Sequence, residues 1–198
     1  MRSTGLLLIL AVTAVGGTGA RAIAAASSAF LRIDNASVIL EFDTRDMSFT
    51  VTSRDSGLPS VRRGTFAVRG ERAERLDITH RIWGPGVAIQ VVHTSGAVDR
   101  LMLFADLPFL VYESTLANDA GTDATLNSIR PVSLVLGSKT AAGELRVLGT
   151  AGLTGAGRDA NPGSYSFLAV ADPASRTGFV AGWLTHERGS GLLFSDIR

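Results

Sequence analysis

The chain has 198 residues, with 19 basic and 18 acidic side chains, a formal net charge of +1 and no cysteine. This balance excludes the strongly basic surface of nucleic-acid-binding proteins, so we expect no nucleic-acid partner. The lack of cysteine excludes disulfides, thiol catalysis and cysteine-bound zinc. A chain of this length can instead fold around one sizeable hydrophobic core.

The N-terminus has the pattern of an export signal. Arg2 precedes an apolar run over 6–15, and Ala-Arg-Ala at 20–22 is a small-x-small cleavage site. The run is about half of the roughly 20 residues that cross a bilayer. We therefore predict a signal peptide over 1–22 and an exported, periplasmic or extracellular domain over 23–198 that keeps no membrane contact. An uncleaved membrane anchor is the alternative.

Apolar and polar residues alternate along most of the mature chain, as in strands with one buried face. The first such strand buries Val38, Leu40 and Phe42, and a short connection leads to a second that buries Met47, Phe49 and Val51. Further strands are predicted at 76–83, 86–93, 98–104, 109–116, 126–136, 144–148, 164–171, 177–185 and 191–194. Helical periodicity is weak and confined to 69–76.

Short strands separated by Gly, Pro, Asn and Asp predict an all-β fold, an antiparallel two-sheet β-sandwich. Residues 149–163 differ, because five of these fifteen residues are glycine. A Gly-rich loop of this length is typical either of a mobile linker or of a loop that faces a ligand or partner.

Few residues have the spacing of a catalytic or metal site. The three histidines, His80, His93 and His186, show no metal-ligand spacing, so we expect no metal and no other cofactor. A glycosidase needs two facing carboxylates, and Glu113 and Glu187 lie on or beside predicted strands. The period-two pattern favours a solvent-facing structural position for Glu113.

The best candidate binding residues are close to the C-terminus. The ring of Trp183 can stack on the apolar face of a sugar, while His186, Glu187 and Arg188 can bond its hydroxyl rim, with Asp159 from the Gly-rich loop beside them. In the structural alternative, Trp183 is a core residue and Glu187 or Asp159 forms an ion pair with Arg188.

Three segments of the chain resemble a known family. Residues 161–195, the strand pair Arg-Leu-Met-Leu-Phe-Ala-Asp-Leu-Pro-Phe-Leu-Val-Tyr-Glu-Ser-Thr-Leu-Ala-Asn at 100–118, and the opening hairpin at 31–57 are similar to the N-terminal β-sandwich of bacterial α-galactosidases of the melibiase type. Related sandwiches occur in mutarotase-like sugar binders. The resemblance implies a supersandwich packed beside a (β/α)8 barrel that carries two catalytic aspartates.

Neither of those aspartates maps onto a residue here, so the resemblance implies no catalytic residue and no hydrolysis by this chain alone. It also implies a galactoside as ligand, contacts with a barrel domain or a second copy, and Trp183 as an aromatic contribution to a sugar pocket. The chain is short for such a sandwich, so we expect a truncated reading frame, a fragment or a reduced module. The alternative functions are a stand-alone carbohydrate-binding module and a structural envelope protein.

Overall fold

The computed structural model describes residues 29–57, 59–118, 128–157, 163–185 and 190–197, and the backbone alone of 5–12 and 21–22. Almost all regular structure in these residues is β-strand, with one short 3-10 helix at Ala142–Glu144. The strands are β1 (Gly5–Val12), β2 (Arg21–Ala22), β3 (Phe30–Asp34), β4 (Val38–Asp43), β5 (Ser48–Ser53), β6 (Pro59–Phe66), β7 (Arg72–His80), β8 (Gly84–Val92), β9 (Val98–Phe104), β10 (Phe109–Thr115), β11 (Val132–Leu136), β12 (Arg146–Gly149), β13 (Gly152–Gly155), β14 (Ser164–Tyr165), β15 (Phe167–Asp172), β16 (Thr177–Trp183) and β17 (Leu192–Leu193).

The strands form two main sheets that pack as a sandwich, which confirms the predicted fold class. The larger sheet has the order β13-β12-β15-β16-β1-β10-β9-β8-β7-β2, and the smaller has the order β11-β6-β5-β4-β3. A two-stranded sheet pairs β14 with β17. Pairing between described strands is antiparallel except where β1 meets β10 and β16, which it joins in parallel.

The core lies between the two main sheets and follows the predicted alternation. Val38, Leu40 and Phe42 of β4 are fully buried, and Phe49 and Val51 of β5 pack beside them. The larger sheet contributes the facing side chains of Ile89, Val91, Leu101, Leu103, Leu110, Tyr112, Phe179 and Ala181. One buried face on each strand is therefore what joins the two layers.

One strand boundary differs from the prediction. The segment at 69–76, which has weak helical periodicity, leads into β7, and this strand starts at Arg72 and pairs with β8 over nine positions. The turn between β7 and β8 lies at 81–83, so Trp83 belongs to the turn and Gly84 and Pro85 belong to the strand.

The sequence reading also missed β6. This strand carries Arg62, Arg63 and Gly64 in succession, which interrupts the apolar alternation. The interruption has a packing reason, because a Cβ at Gly64 would lie 2.2 Å from the ring of Phe49. Phe49 therefore fills the space that a side chain on β6 would otherwise occupy.

The Gly-rich segment is partly a hairpin. Strand β12 ends at Gly149 and β13 spans Gly152–Gly155, so these two strands pair across a two-residue turn. Gly152 has a φ of 93°, a backbone conformation that glycine adopts without strain. Residues 158–162, which include Asp159, lie outside the described residues.

Candidate functional site

A row of polar side chains crosses four neighbouring strands of the larger sheet. The register pairs Glu74 with Gln90, Gln90 with Arg100, and Arg100 with Glu113. Residues in register lie on the same face of a sheet, so these four side chains form one line across β7, β8, β9 and β10. We call this line the polar row. It lies on the outer face, turned away from the five-stranded sheet.

The polar row is linked by hydrogen bonds. Gln90 donates through Nε2 to Oε1 of Glu74 at 3.2 Å, and Arg100 donates through Nε to Oε1 of Gln90 at 2.8 Å. Arg100 also lies 3.9 Å from Oε2 of Glu113 through Nη1, with both side chains mostly covered. These bonds hold the Gln90 amide in one orientation and pre-arrange donors and acceptors on a single surface.

An aromatic cluster lies on the same face, toward the other end of the strands. His80 and Trp83 stack with ring centroids 4.3 Å apart, and Phe104 lies 5.2 Å from Trp83. Phe109 meets the edge of Trp83 at 6.5 Å. We call His80, Trp83, Phe104 and Phe109 the aromatic cluster.

The turn at 81–83 positions His80 within this cluster. The backbone N–H groups of Ile82 and Trp83 both donate to Nδ1 of His80, at 3.2 and 3.3 Å. A ring nitrogen that accepts hydrogen bonds carries no proton, so the neutral ring has its proton on Nε2. The turn therefore sets both the orientation and the tautomer of His80.

An apolar layer separates the polar row from the aromatic cluster. Ala88, Met102 and Val111 form its buried centre, with Leu76 in register beside Ala88. Phe104 follows Arg100 by four positions along β9, which places the two ends about 14 Å apart. This surface therefore combines an apolar floor with polar groups at one edge.

A cavity of about 790 Å³ opens at this end of the larger sheet and is lined by residues of both of its faces. The outer-face residues that line it include Ile78, His80, Arg100, Met102, Phe104 and Glu113. The cavity continues to Asp34 and Asn35 at the end of β3. Asn35 holds that end against the larger sheet, because its Nδ2 donates to the carbonyl oxygens of Phe104 and Leu107, both at 2.8 Å.

The carboxylates on this face are too far apart to act as a glycosidase pair. Glu74 lies on β7 and Glu113 on β10, so three strand spacings separate them, about 14 Å. Glycosidases require roughly 5 to 9.5 Å between their two carboxyl groups. The described residues also contain no group of three or more His, Asp or Glu side chains that could hold a metal ion.

Trp183 lies on the opposite face of the sheet from the polar row. It packs against the main core, and its Nε1 is buried without a hydrogen-bond partner among the described residues. Its ring also lies against Gly191, where a Cβ would come within 2.3 Å of the ring. This placement favours the structural interpretation of Trp183. His186, Glu187 and Arg188, like Asp159, lie outside the described residues.

Glu113, the carboxylate singled out from sequence, is a member of the polar row and only 14% of its side chain is exposed. Sequence reasoning missed Glu74, Gln90, Arg100, His80 and Trp83. Each of these residues has an ordinary polar or aromatic position in its own strand or turn. Only the register, which places residues from separate strands side by side, reveals the row.

A separate set of three polar side chains is buried in the core, near the end of the sandwich opposite the aromatic cluster. Oδ2 of Asp99 lies 2.6 Å from Nε2 of His93, and Oδ1 accepts a hydrogen bond of 2.6 Å from the hydroxyl of Tyr112. All three side chains are buried. The Nδ1 atom of His93 makes no hydrogen bond to the described residues. We call these three residues the core triad.

Comparison with protein-family models, with curated proteins and with solved structures found no match in any of the three. Within the described part of the chain, no helix has both the length and the apolar character needed to cross a membrane.

Proposed function

We propose that this chain is a carbohydrate-associated β-sandwich domain without hydrolytic activity of its own, the non-catalytic part of an exported α-galactosidase-like glycoside hydrolase. The observation that carries the proposal is the part of the cavity that the outer-face residues line. It is lined by Arg100 and Glu113 of the polar row and by the half-buried ring of His80, with the buried ring of Phe104 beneath them.

This surface matches the chemistry of a sugar. A pyranose has apolar C–H faces that pack on aromatic rings, and a rim of hydroxyls that both donate and accept hydrogen bonds. Carboxylates of the polar row supply acceptors. Arg100 has five N–H donors, of which Nε serves Gln90, so its guanidinium retains donors for a hydroxyl. A separation of about 14 Å between the two ends suits an oligosaccharide rather than a single ring.

The same surface favours binding over hydrolysis. Its two carboxylates, Glu74 and Glu113, are about 14 Å apart, and each already interacts with a neighbouring polar side chain. Neither therefore has the partner that acid–base catalysis of glycoside cleavage requires. In an α-galactosidase-like enzyme that chemistry belongs to the barrel.

Binding is tested by calorimetric titration of the full chain with α-galactosides of one to four sugar units. We expect saturable binding that Arg100→Met weakens by about tenfold or more, because a charge-assisted hydrogen bond contributes about 1.5–3 kcal/mol. Arg62→Met is the matched control, since Arg62 is exposed on the smaller sheet. Equal effects of the two substitutions would argue against the outer-face site.

Absence of hydrolysis is tested separately with an aryl α-galactoside. We expect no release of the aryl group above the rate in buffer. Turnover that a single carboxylate substitution abolishes would disprove the non-catalytic assignment. No heat with any galactoside, from a chain that circular dichroism shows to be folded, would disprove the carbohydrate assignment.

A further inference from the structure

Strand β1 occupies the centre of the larger sheet. Residues 7–12 pair in parallel with 109–114 of β10, and residues 5–10 pair in parallel with 178–183 of β16. The order of strands places no other strand between β10 and β16. This one segment therefore joins the β13–β16 half of the sheet to the β7–β10 half.

The same segment is the apolar centre of the predicted export signal. The run over 6–15 contains most of β1, and cleavage after Ala22 would remove both β1 and β2. One molecule cannot keep β1 in its sheet and also lose it by cleavage. If the predicted export signal is removed, the two uses of the segment belong to different stages in the life of the protein.

Loss of β1 leaves a gap that is one strand wide. Neighbouring strands lie about 4.8 Å apart, so β10 and β16 would face each other across about 9.6 Å, too far for a backbone hydrogen bond. Leu110 and Val111 of β10 are fully buried while β1 is in place, so loss of β1 would uncover this strand and the backbone groups that pair with β1. Exposed strand edges readily pair with other chains.

Packing opposes direct closure of the gap. Leu110 and Tyr112 of β10 belong to the same core cluster as Phe179 and Ala181 of β16, and all four pack against the five-stranded sheet. Moving β16 onto β10 would shift one half of the larger sheet by a full strand spacing across that core. Close-packed interiors resist such a shift, because it opens cavities on one side and overlaps on the other.

We propose that β10 and β16 form a strand-acceptor slot. Residues 5–12 fill it before the export signal is removed, and an extended segment of another polypeptide fills it afterwards, parallel to both strands. The present occupant defines the chemistry of that segment, which is six to eight residues long, apolar, uncharged and free of proline. This inference rests on the export signal of the proposed function and is independent of carbohydrate binding.

The seating of residues 5–12 is tested by cysteine cross-linking in the full chain, which has no cysteine of its own. Ile9 and Val111 are register partners, so oxidation of the double variant Ile9→Cys with Val111→Cys should form a disulfide. Ile9→Cys with Ser114→Cys is the matched control, because Ser114 is the register partner of Val12 and serine and cysteine are close in size. Equal cross-linking of the two pairs would overturn the register.

The acceptor property is tested by cutting the folded full chain. A protease site inserted between Gly16 and Gly17 allows cleavage after folding, and a labelled, lysine-flanked peptide of residues 5–12 is then added in excess. We expect the cut segment to co-elute with the body of the protein and the peptide to replace it at one copy per chain. The same peptide with Ile9→Pro should bind about tenfold more weakly or not at all, because proline lacks an N–H and disrupts the ladder.

The proposal would be overturned if the cut segment left while the body kept its circular dichroism and bound no peptide. Equal binding of the two peptides would also overturn it, as would a body that dimerised through its own edges and excluded the peptide. Unfolding after cleavage that the peptide reverses would support it, and unfolding that the peptide does not reverse would count against it.

Discussion

Nε2 of His93 lies 2.6 Å from Oδ2 of Asp99 within the core of the sandwich, where both side chains are buried. The other carboxylate oxygen of Asp99 accepts a hydrogen bond from the hydroxyl of Tyr112. One carboxylate therefore joins the end of β8 to β9 and β10. We expect Asp99→Ala to destabilise the protein by about 3 kcal/mol or more, since it leaves two buried polar groups without their partner.

The change in the free energy of unfolding is measured by urea denaturation at pH 7. Asp55→Ala is the control, because Asp55 is exposed in the turn after β5, and it should change stability by no more than about 0.5 kcal/mol. A loss below about 1 kcal/mol for Asp99→Ala would show that the core triad contributes little to stability.

Tyr112 gives the protein a specific sensitivity to alkali. Burial, and then the negative charge of Asp99, raise the pKa of Tyr112 well above its ordinary value of about 10. The native state thus holds this proton more tightly than the unfolded chain, so its contribution is complete below pH 10 and declines above it. The slope is up to about 1.4 kcal/mol per pH unit.

The alkaline effect is isolated by comparing two substitutions of the only two tyrosines. Urea midpoints between pH 8.5 and 11 should fall less steeply for Tyr112→Phe than for the unmodified protein. Tyr165→Phe, at an exposed position, should retain the full slope. Identical slopes for all three proteins would contradict the assignment to Tyr112.

Asp172 makes the stability of the fold depend on pH in the opposite direction, so that stability falls as the pH is lowered. The hydroxyls of Ser175 and then Thr140 hold the pKa of Asp172 at about 2, and the backbone N–H groups of Ser175 and Ala174 add to this. Because the pKa is lower in the folded state, the contribution is present above about pH 4 and is lost as the pH falls toward 2. We expect Asp172→Asn to flatten the loss of stability over this window.

This prediction is checked by urea midpoints at pH 5, 4, 3 and 2.5. Asp106→Asn, at an exposed position between β9 and β10, should keep the acid dependence of the unmodified protein. If the urea midpoints of Asp172→Asn change with pH as those of the unmodified protein do, the charge of Asp172 does not stabilise the turn at 173–176.

The contact between Gly191 and Trp183 is a test of packing near the C-terminus. A Cβ at position 191 would lie 2.2 Å from the indole ring, whereas a Cβ at Gly143 would meet no atom within 4 Å. We expect Gly191→Ala to destabilise the protein by about 1–3 kcal/mol, because the ring must move. Gly143→Ala should be neutral or slightly stabilising. Thermal unfolding of the two variants gives the comparison, and equal midpoints would show that the ring moves freely.

Local sequence features predicted the strands well and their partners poorly. The alternation of Val38, Leu40 and Phe42 indicated a buried face without reference to any other strand, because burial on alternate sides is a property of a single extended segment. The same logic failed at β6, where Gly64 leaves room for Phe49, a residue fifteen positions earlier. A gap filled by a distant side chain has no local signal.

The candidate site depended on register in the same way. Glu113 was a candidate from sequence because it is a carboxylate on a predicted strand. Its partner Arg100 and the rest of the polar row come from strands that pair only after folding. A shift of one residue in any of these pairings would send the side chains to the opposite face.

The all-β class, the near-neutral charge and the buried face of most strands follow from the sequence by itself, because composition and period-two alternation act within each segment. The tertiary structure alone decided that Glu74, Gln90, Arg100 and Glu113 form one row, that Asp99 joins His93 to Tyr112, and that residues 5–12 lie between β10 and β16. These relationships link positions that are far apart in the chain, and their physical cause is the pairing register of two packed sheets.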